Sequence, residues 1–280
     1  MLTIDFGTSF SNYTFNDLTG GGTLFLATKT AIIPSGDFSG IIEGAPNAKV
    51  EKTSGGTLIL TGANTYRGGT TVSGGTLQGD TKGLQGKIST ADHTTVVFDQ
   101  TTNGTYKGVM SGGGALVKSN KGTVILTGMN DYTGGTTVST DGGILQGDTN
   151  SLKGRITNDA TVTFDQTFTG TYEDVIRGTG TLIKSGTGEV ILSGVNTYAG
   201  GTTINAGTLT LSGTGSLLAA GAVHLPGENT VFDVTASTIN QTIGDLTGVA
   251  SSQILLGSNQ LTFGTNTSSQ MFNGIVSGIA

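Results

Sequence analysis

Gly62-Ala63-Asn64-Thr65-Tyr66-Arg67-Gly68-Gly69-Thr70-Thr71-Val72 decides how this chain folds. It returns as Gly128-Met129-Asn130-Asp131-Tyr132-Thr133-Gly134-Gly135-Thr136-Thr137-Val138 and as Gly194-Val195-Asn196-Thr197-Tyr198-Ala199-Gly200-Gly201-Thr202-Thr203-Ile204, at one constant interval. Self-similarity at a fixed period marks a repeat architecture, in which each unit buries its apolar face on its neighbours. The period reaches beyond the phrase. Phe98-Asp99-Gln100 recurs as Phe164-Asp165-Gln166, Gly104-Thr105-Tyr106 as Gly170-Thr171-Tyr172, and Lys52 as Lys118 and Lys184. One turn, Val72-Ser73-Gly74-Gly75, lengthens to Val138-Ser139-Thr140-Asp141-Gly142-Gly143, and the phase returns by Phe98 and Phe164. Such segments are loops that tolerate a change in length. The repeats are placed at about 55–120, 121–186 and, incompletely, 187–280 of a single segment covering residues 1–280.

Glycine supplies 49 of the 280 residues and proline 3, and no window offers helical spacing free of glycine. Interior glycine costs a helix roughly 1 kcal/mol each, so helix is nearly excluded. Short apolar clusters such as Thr57-Leu58-Ile59-Leu60, Val96-Val97-Phe98 and Val190-Ile191-Leu192, punctuated by Gly, Asn, Asp and Ser, read as strands and turns. A shorter period runs inside the long one: Leu58 and Leu77 share the context Gly-Gly-Thr-Leu and lie 19 apart, as do Val190 and Leu209. That step is one coil of a parallel β-helix with three short strands per coil, whose equivalent strands stack about 4.8 Å apart. A propeller blade needs a longer unit and a sandwich shows no coil period. The fold class is therefore all-β, a parallel β-solenoid of about 12–14 coils, with the long repeat read as three coils.

The strings Gly56 to Val72 and Gly178 to Gly194 resemble the autotransporter-associated β-strand repeat of type V secreted passenger domains, over most of residues 37–278. The resemblance implies a right-handed β-helix, export through an outer-membrane barrel, and an extracellular or cell-surface location on a Gram-negative bacterium. It implies no particular activity, because such helices carry adhesins, toxins and enzymes alike. Met1-Leu2-Thr3-Ile4-Asp5-Phe6 has no basic n-region and apolar stretch of a signal peptide. The close, Met271-Phe272-Asn273-Gly274-Ile275-Val276-Ser277-Gly278, resembles Thr105 to Gly112 and so falls in mid-unit. The expectation is a fragment of a longer passenger, attached to a membrane only through a C-terminal barrel outside this sequence.

A net charge of −6 and a pI near 4.7 argue against nucleic acid and anionic lipid as partners. Zero cysteines agree weakly with export, and no run of apolar residues is long enough to span a bilayer as a helix. Asp99 and Asp165 invite an acid pair, but three coils would separate them by about 14 Å, beyond the roughly 5–9.5 Å of glycosidase carboxylates. They read as solvated or turn-capping. Lys52, Lys118 and Lys184 read as a sparse row of solvated charges, largely screened from one another at that spacing. His93 and His224 lie far apart in sequence, which leaves a triad or zinc site without ligands. Gly-Gly followed by Thr-Thr departs from the calcium β-roll repeat. No metal, no cofactor and no enzymatic activity are expected.

The structural repeat positions are Asn64, Asn130, Asn196, Tyr66, Tyr132, Tyr198 and the pairs Gly68-Gly69, Gly134-Gly135 and Gly200-Gly201. The asparagines read as turn residues bonding their own chain two residues on, and the tyrosines as covering the core edge with the hydroxyl outward. The functional expectation is a rigid stalk and interaction surface in adhesion or self-association, meeting a glycan, a host or neighbour-cell protein, or another copy. A carbohydrate-active β-helix enzyme and a structural spacer that aids translocation are the alternatives.

Overall fold

Leu58, Leu77, Val96 and Leu116 stand side by side as one inward row in the computed structural model, each buried. The structure describes residues 12–264 and 271–278, and Thr3–Asp5 by its backbone. No helix occurs among the described residues. The chain divides into two compact units, Met1–Thr137 and Val138–Ala280.

In the first unit a seven-stranded parallel sheet runs through Asn12–Thr14, Thr30–Ile33, Lys49–Lys52, Thr70–Val72, Ile88–Thr90, Met110–Gly112 and Asp131–Tyr132. A second face stacks Gly36–Phe38, Thr57–Leu60, Thr76–Gly79, Thr95–Asp99 and Ala115–Ser119. The third face pairs Thr23–Phe25 with Ile41–Glu43 and Gly104–Tyr106 with Thr123–Leu126. Between those pairs the chain at 64–65 bridges coils without forming a strand: Thr65 N–H donates to the Ile42 carbonyl, and Asn64 N–H to that of Lys82. Three faces per coil and seven coils make this unit a parallel β-solenoid.

The second unit has the same construction. One face stacks Ile144–Gly147, Thr161–Asp165, Thr181–Ser185, Thr202–Ile204, Val223–Leu225 and Leu246–Gly248, giving six coils. Another stacks Gly170–Tyr172, Glu189–Leu192, Thr208–Leu211, Val231–Asp233, Gln253–Gly257 and Ile275–Gly278. Seven and six coils agree with the expected twelve to fourteen. Alternation supplies the core: in Thr181–Ser185 the buried positions are Leu182 and Lys184, and in Glu189–Leu192 they are Val190 and Leu192. Rows of Leu, Val, Ile and Phe along the axis bury each coil on the next, which is the favourable term for a structure whose coils touch only their neighbours.

The relation between repeat and coil is corrected. From Thr57 the row passes through Thr76 and Thr95 to Ala115, so three coils are complete before the chain reaches Thr123, the repeat mate of Thr57. The long repeat overshoots three coils by one face. Thr57–Leu60 and Thr123–Leu126 accordingly lie in different sheets of the first unit. Equivalent residues of successive repeats are therefore turned to the next face and do not stack on each other. Each phrase has to find its partners in sequence unlike itself.

Candidate interaction surface

The asparagines of the phrase are buried ties between coils. Asn64 Oδ1 accepts from Ile42 N–H at 2.7 Å, Asn130 Oδ1 from Met110 N–H at 2.8 Å and Asn196 Oδ1 from Ile176 N–H at 2.9 Å, each on the preceding coil. Asn64 Nδ2 donates forward to the Gly83 carbonyl at 2.7 Å, and Asn196 Nδ2 to that of Ser216 at 3.1 Å. A bond within the local chain occurs at Asn196, to Gly194 O at 2.8 Å. None of the three has positive φ; that conformation falls to Asn120 and Asn229. Where a coil rounds its corner without ladder pairing, an amide side chain supplies the missing donor and acceptor.

The tyrosines require a correction. Tyr66, Tyr132 and Tyr198 are buried, at 1%, 1% and 2% exposure, and their hydroxyls pair inward with the hydroxyls of Thr70, Thr136 and Thr202 at 2.7, 2.7 and 2.6 Å. Burial pushes the Tyr66 phenol up to about 12, against the opposing hydrogen bond from Thr70. The Tyr and the first Thr of Thr-Thr form a closed pair four residues apart, which satisfies both hydroxyls inside the core. The glycine pair between them has divided duties. A Cβ on Gly68 would lie 2.5 Å from the Ala48 carbonyl of the preceding coil, whereas Gly69, Gly135 and Gly201 carry φ of +85°, +83° and +81°. Gly134 and Gly200 repeat the close approach, to Gly114 and Gly180.

The lysines require a second correction. Lys52, Lys118 and Lys184 are buried, and their ammonium groups cap turn carbonyls. Lys52 Nζ donates to Ser54 O and to Gly74 O, the latter at 2.9 Å. Lys118 Nζ donates to Ser119 O at 2.7 Å and also to Asn120 O. Lys184 Nζ reaches Ser185 O, Gly186 O and Ala206 O at 2.8, 2.7 and 3.0 Å. Each lies in period-2 phase with an inward aliphatic residue, Val50, Leu116 or Leu182, and that was the available signal for burial. Its long stem fills the core while the head gathers turn carbonyls, of which Ser119 O and Ser185 O also accept from the Gln100 and Gln166 N–H groups.

Burial pushes the Lys184 ammonium down to about 8, with the Asp165 charge acting in the opposite sense. Its folded pKa thus lies below the unfolded value of 10.5, and between about 8 and 10.5 the folded state holds fewer protons than the unfolded one. The stability linked to this group should therefore rise with pH through that window and be flat below it. Denaturant unfolding at pH 7 to 10 should show this rise in the parent relative to Lys184→Met; parallel profiles would refute the assignment.

Asp99 and Asp165 bind neighbours on their own sheets. Asp99 accepts from Gln78 Nε2 at 3.1 Å, Ser119 Oγ at 3.2 Å and Asn120 Nδ2, and Asp165 accepts from Gln146 Nε2 at 3.0 Å. The Gln after each turns inward: Gln100 Oε1 accepts from Thr81 N–H at 2.9 Å and Gln166 Oε1 from Thr149 N–H at 3.0 Å. His93 belongs to the first unit, and His224 in the second pairs its Nδ1 with Thr247 Oγ1 at 2.6 Å. No cluster of three His, Cys, Asp or Glu suited to a metal occurs among the described residues.

Each unit opens a groove at the same repeat position. Tyr106 packs its ring 5.0 Å from Phe98 and donates to Gly86 O at 2.6 Å, and beside it a groove of about 400 Å³ is bounded by Thr81, Gln85, Thr105 and Lys107. In the second unit Tyr172 lies 5.2 Å from Phe164 and donates to Gly154 O, beside a groove of about 180 Å³. There Glu173 and Asp174 stand where Lys107 and Gly108 stand in the first. The scaffold is shared and the charge is reversed.

The family described as Passenger-associated-transport-repeat matches residues 50–78, 116–153 and 182–211. The three matches start in step with the phrase, and each includes a buried lysine and the Asn-x-Tyr-x-Gly-Gly motif. The chain is also 34% identical over 184 residues to the adhesin BmaC autotransporter of Brucella suis biovar 1 (strain 1330), a similarity that covers 55% of this chain and 5% of that protein. The chain thus spans about one twentieth of that relative's length. No solved structure matches. The repeat spacing and the coil-tying side chains thus fall within three stretches similar to the passenger-associated-transport repeat, in a chain that is similar over about half its length to an autotransporter adhesin.

Proposed function

We propose that this segment is displayed at the surface of a Gram-negative cell, or released from it, and serves as a rigid, non-enzymatic stalk and interaction surface of an adhesin-like passenger. The similarity to an autotransporter adhesin carries this reading. The inward duties of the side chains also support it: the repeated Asn, Tyr, Lys and Gln hold coils together, leaving contact to the outward Thr, Ser and charged residues. Met129 and Val195, between the Gly and Asn of their phrases, are exposed at 74% and 52% and offer apolar contacts.

The test couples sedimentation with adhesion. Beads coated with the chain are expected to attach to cells or to members of a glycan and matrix-protein array while the free chain sediments as a monomer. Sedimentation that grows with concentration would assign self-association instead. Monomers and unattached beads, with secretion of the whole passenger lost on deletion of coils, would leave a spacer.

A further inference from the structure

Ala31, Val50, Thr70, Ile88 and Met110 form one inward row of the seven-stranded sheet in the first unit. Lys29, Lys49, Arg67, Lys87 and Lys107 stand one to three residues before them, at the corner where the chain enters that face. Backbone contacts between coils hold this stacking. Lys49 N–H donates to Lys29 O at 3.1 Å, Thr70 N–H donates to Lys87 O at 2.8 Å, and a Cβ on Gly86 would lie 3.4 Å from Arg67 O. One cation therefore falls in each of five successive coils. The rise of about 4.8 Å per coil spreads them over roughly 19 Å.

Nine of the basic residues lie in 1–137; Lys52 and Lys118 are buried, so five of the remaining seven line this one corner. The three positions before each residue of the row contain no Asp or Glu. Glu51, half-buried two residues after Lys49 on the same strand and outward like it, is the nearest acid along the chain from Lys49. Successive coils are about 4.8 Å apart, within a Debye length of about 8 Å, so the fields of charges on neighbouring coils add. Like charges stacked at this pitch cost stability, and a bound polyanion would relieve that cost. The groove beside Tyr106 opens on the same corner, with Gln85, Gly86 and Lys107 belonging to both.

We propose that this ridge binds a linear anionic polysaccharide. The proposal rests on the adhesion reading above and gives it a ligand class. A file one charge wide suits a single extended chain with an anion on each sugar or each second sugar, and the polar groove accepts part of a ring. Nucleic acid fits less well: the tyrosines at this corner, Tyr66 and Tyr106, are buried and offer no stacking face. The second unit provides an internal contrast, because its equivalent groove carries Glu173 and Asp174.

The test measures fluorescence anisotropy of a labelled heparin oligosaccharide, a polyuronate oligosaccharide of equal length and duplex DNA against the full chain over a salt series. Lys49→Gln/Arg67→Gln/Lys87→Gln/Lys107→Gln removes four exposed ridge charges, and Lys121→Gln/Arg155→Gln removes two exposed charges elsewhere. The parent and the off-ridge variant should bind at least one oligosaccharide with an affinity that falls with salt, and the ridge variant should bind at least about tenfold more weakly, with a shallower salt slope. Binding of heparin alone assigns a sulfated ligand, and binding of both oligosaccharides assigns carboxylate as sufficient. Lys49→Arg/Lys87→Arg/Lys107→Arg, which keeps every charge, should bind as the parent does and guards against misfolding as the cause. No binding by the parent, equal binding by the ridge variant, or tighter binding of DNA would overturn the proposal. Attachment of coated beads to cells without oligosaccharide binding would leave adhesion standing and remove the ridge; the reverse would keep the ridge and remove adhesion.

Discussion

Tyr198→Ala should destabilise the second unit by about 3–5 kcal/mol, the cost of emptying a large aromatic site in a packed core. Tyr198 is 2% exposed and its hydroxyl lies 2.6 Å from Thr202 Oγ1, itself on a side chain 1% exposed. The substitution removes the ring and strands a buried hydroxyl at once. Tyr198→Phe keeps the ring and loses one buried hydrogen bond, so about 1 kcal/mol is expected. Urea unfolding with unchanged slope separates the two variants. Two near-neutral results would restore the outward-facing tyrosine that the residue's place before Gly-Gly suggests.

Gly62→Ala should cost about 3 kcal/mol or more, because the added Cβ would lie 1.8 Å from the Gly40 carbonyl oxygen and 2.6 Å from its carbon. The obstacle is the neighbouring coil's backbone, which cannot swing aside as a side chain can. Gly128 repeats the arrangement, its Cβ position 2.0 Å from the Gly108 carbonyl oxygen. Gly55, with no atom within 4 Å and no positive φ, supplies the contrast: Gly55→Ala should be neutral or stabilising by about a few tenths of a kcal/mol. Amide exchange should show protection lost around residues 40–42 and 62–65 in Gly62→Ala and retained in Gly55→Ala. Equal stability of both variants would mean that the coils are not in backbone contact at this corner.

Much of the architecture was legible because a solenoid writes its spacing into the sequence. Leu58 and Leu77 lie 19 apart because one coil needs that much chain to return to the same face, and the structure pairs them directly. The duties of Lys118 and Tyr132 are obscured in the sequence for a shared reason. Both residue types usually present a polar tip to water, and their burial depends on partners brought inward beside them, the Ser119 and Asn120 carbonyls for Lys118 and the Thr136 hydroxyl for Tyr132. Lys118 sits in phase with Leu116, so alternation carried the answer that residue type obscured. The ridge was hidden differently. Lys29, Lys49, Arg67, Lys87 and Lys107 recur at the spacing of the coil, whereas the eye follows the longer repeat of the phrase.

A dense supply of glycine disfavours helix while short apolar runs at coil spacing demand stacked strands, so the residue pattern alone makes this protein an all-β parallel solenoid. The relation of repeat to coil, by contrast, rests on contacts between coils. Three coils in the first unit carry the chain from Thr57 to Ala115, short of the repeat mate at Thr123, so the repeat advances one face further and equivalent residues meet different neighbours. Which side chains turn inward to cap carbonyls, and which cations gather on one corner, follow from that register, because stacking distance is set across coils and not along the chain.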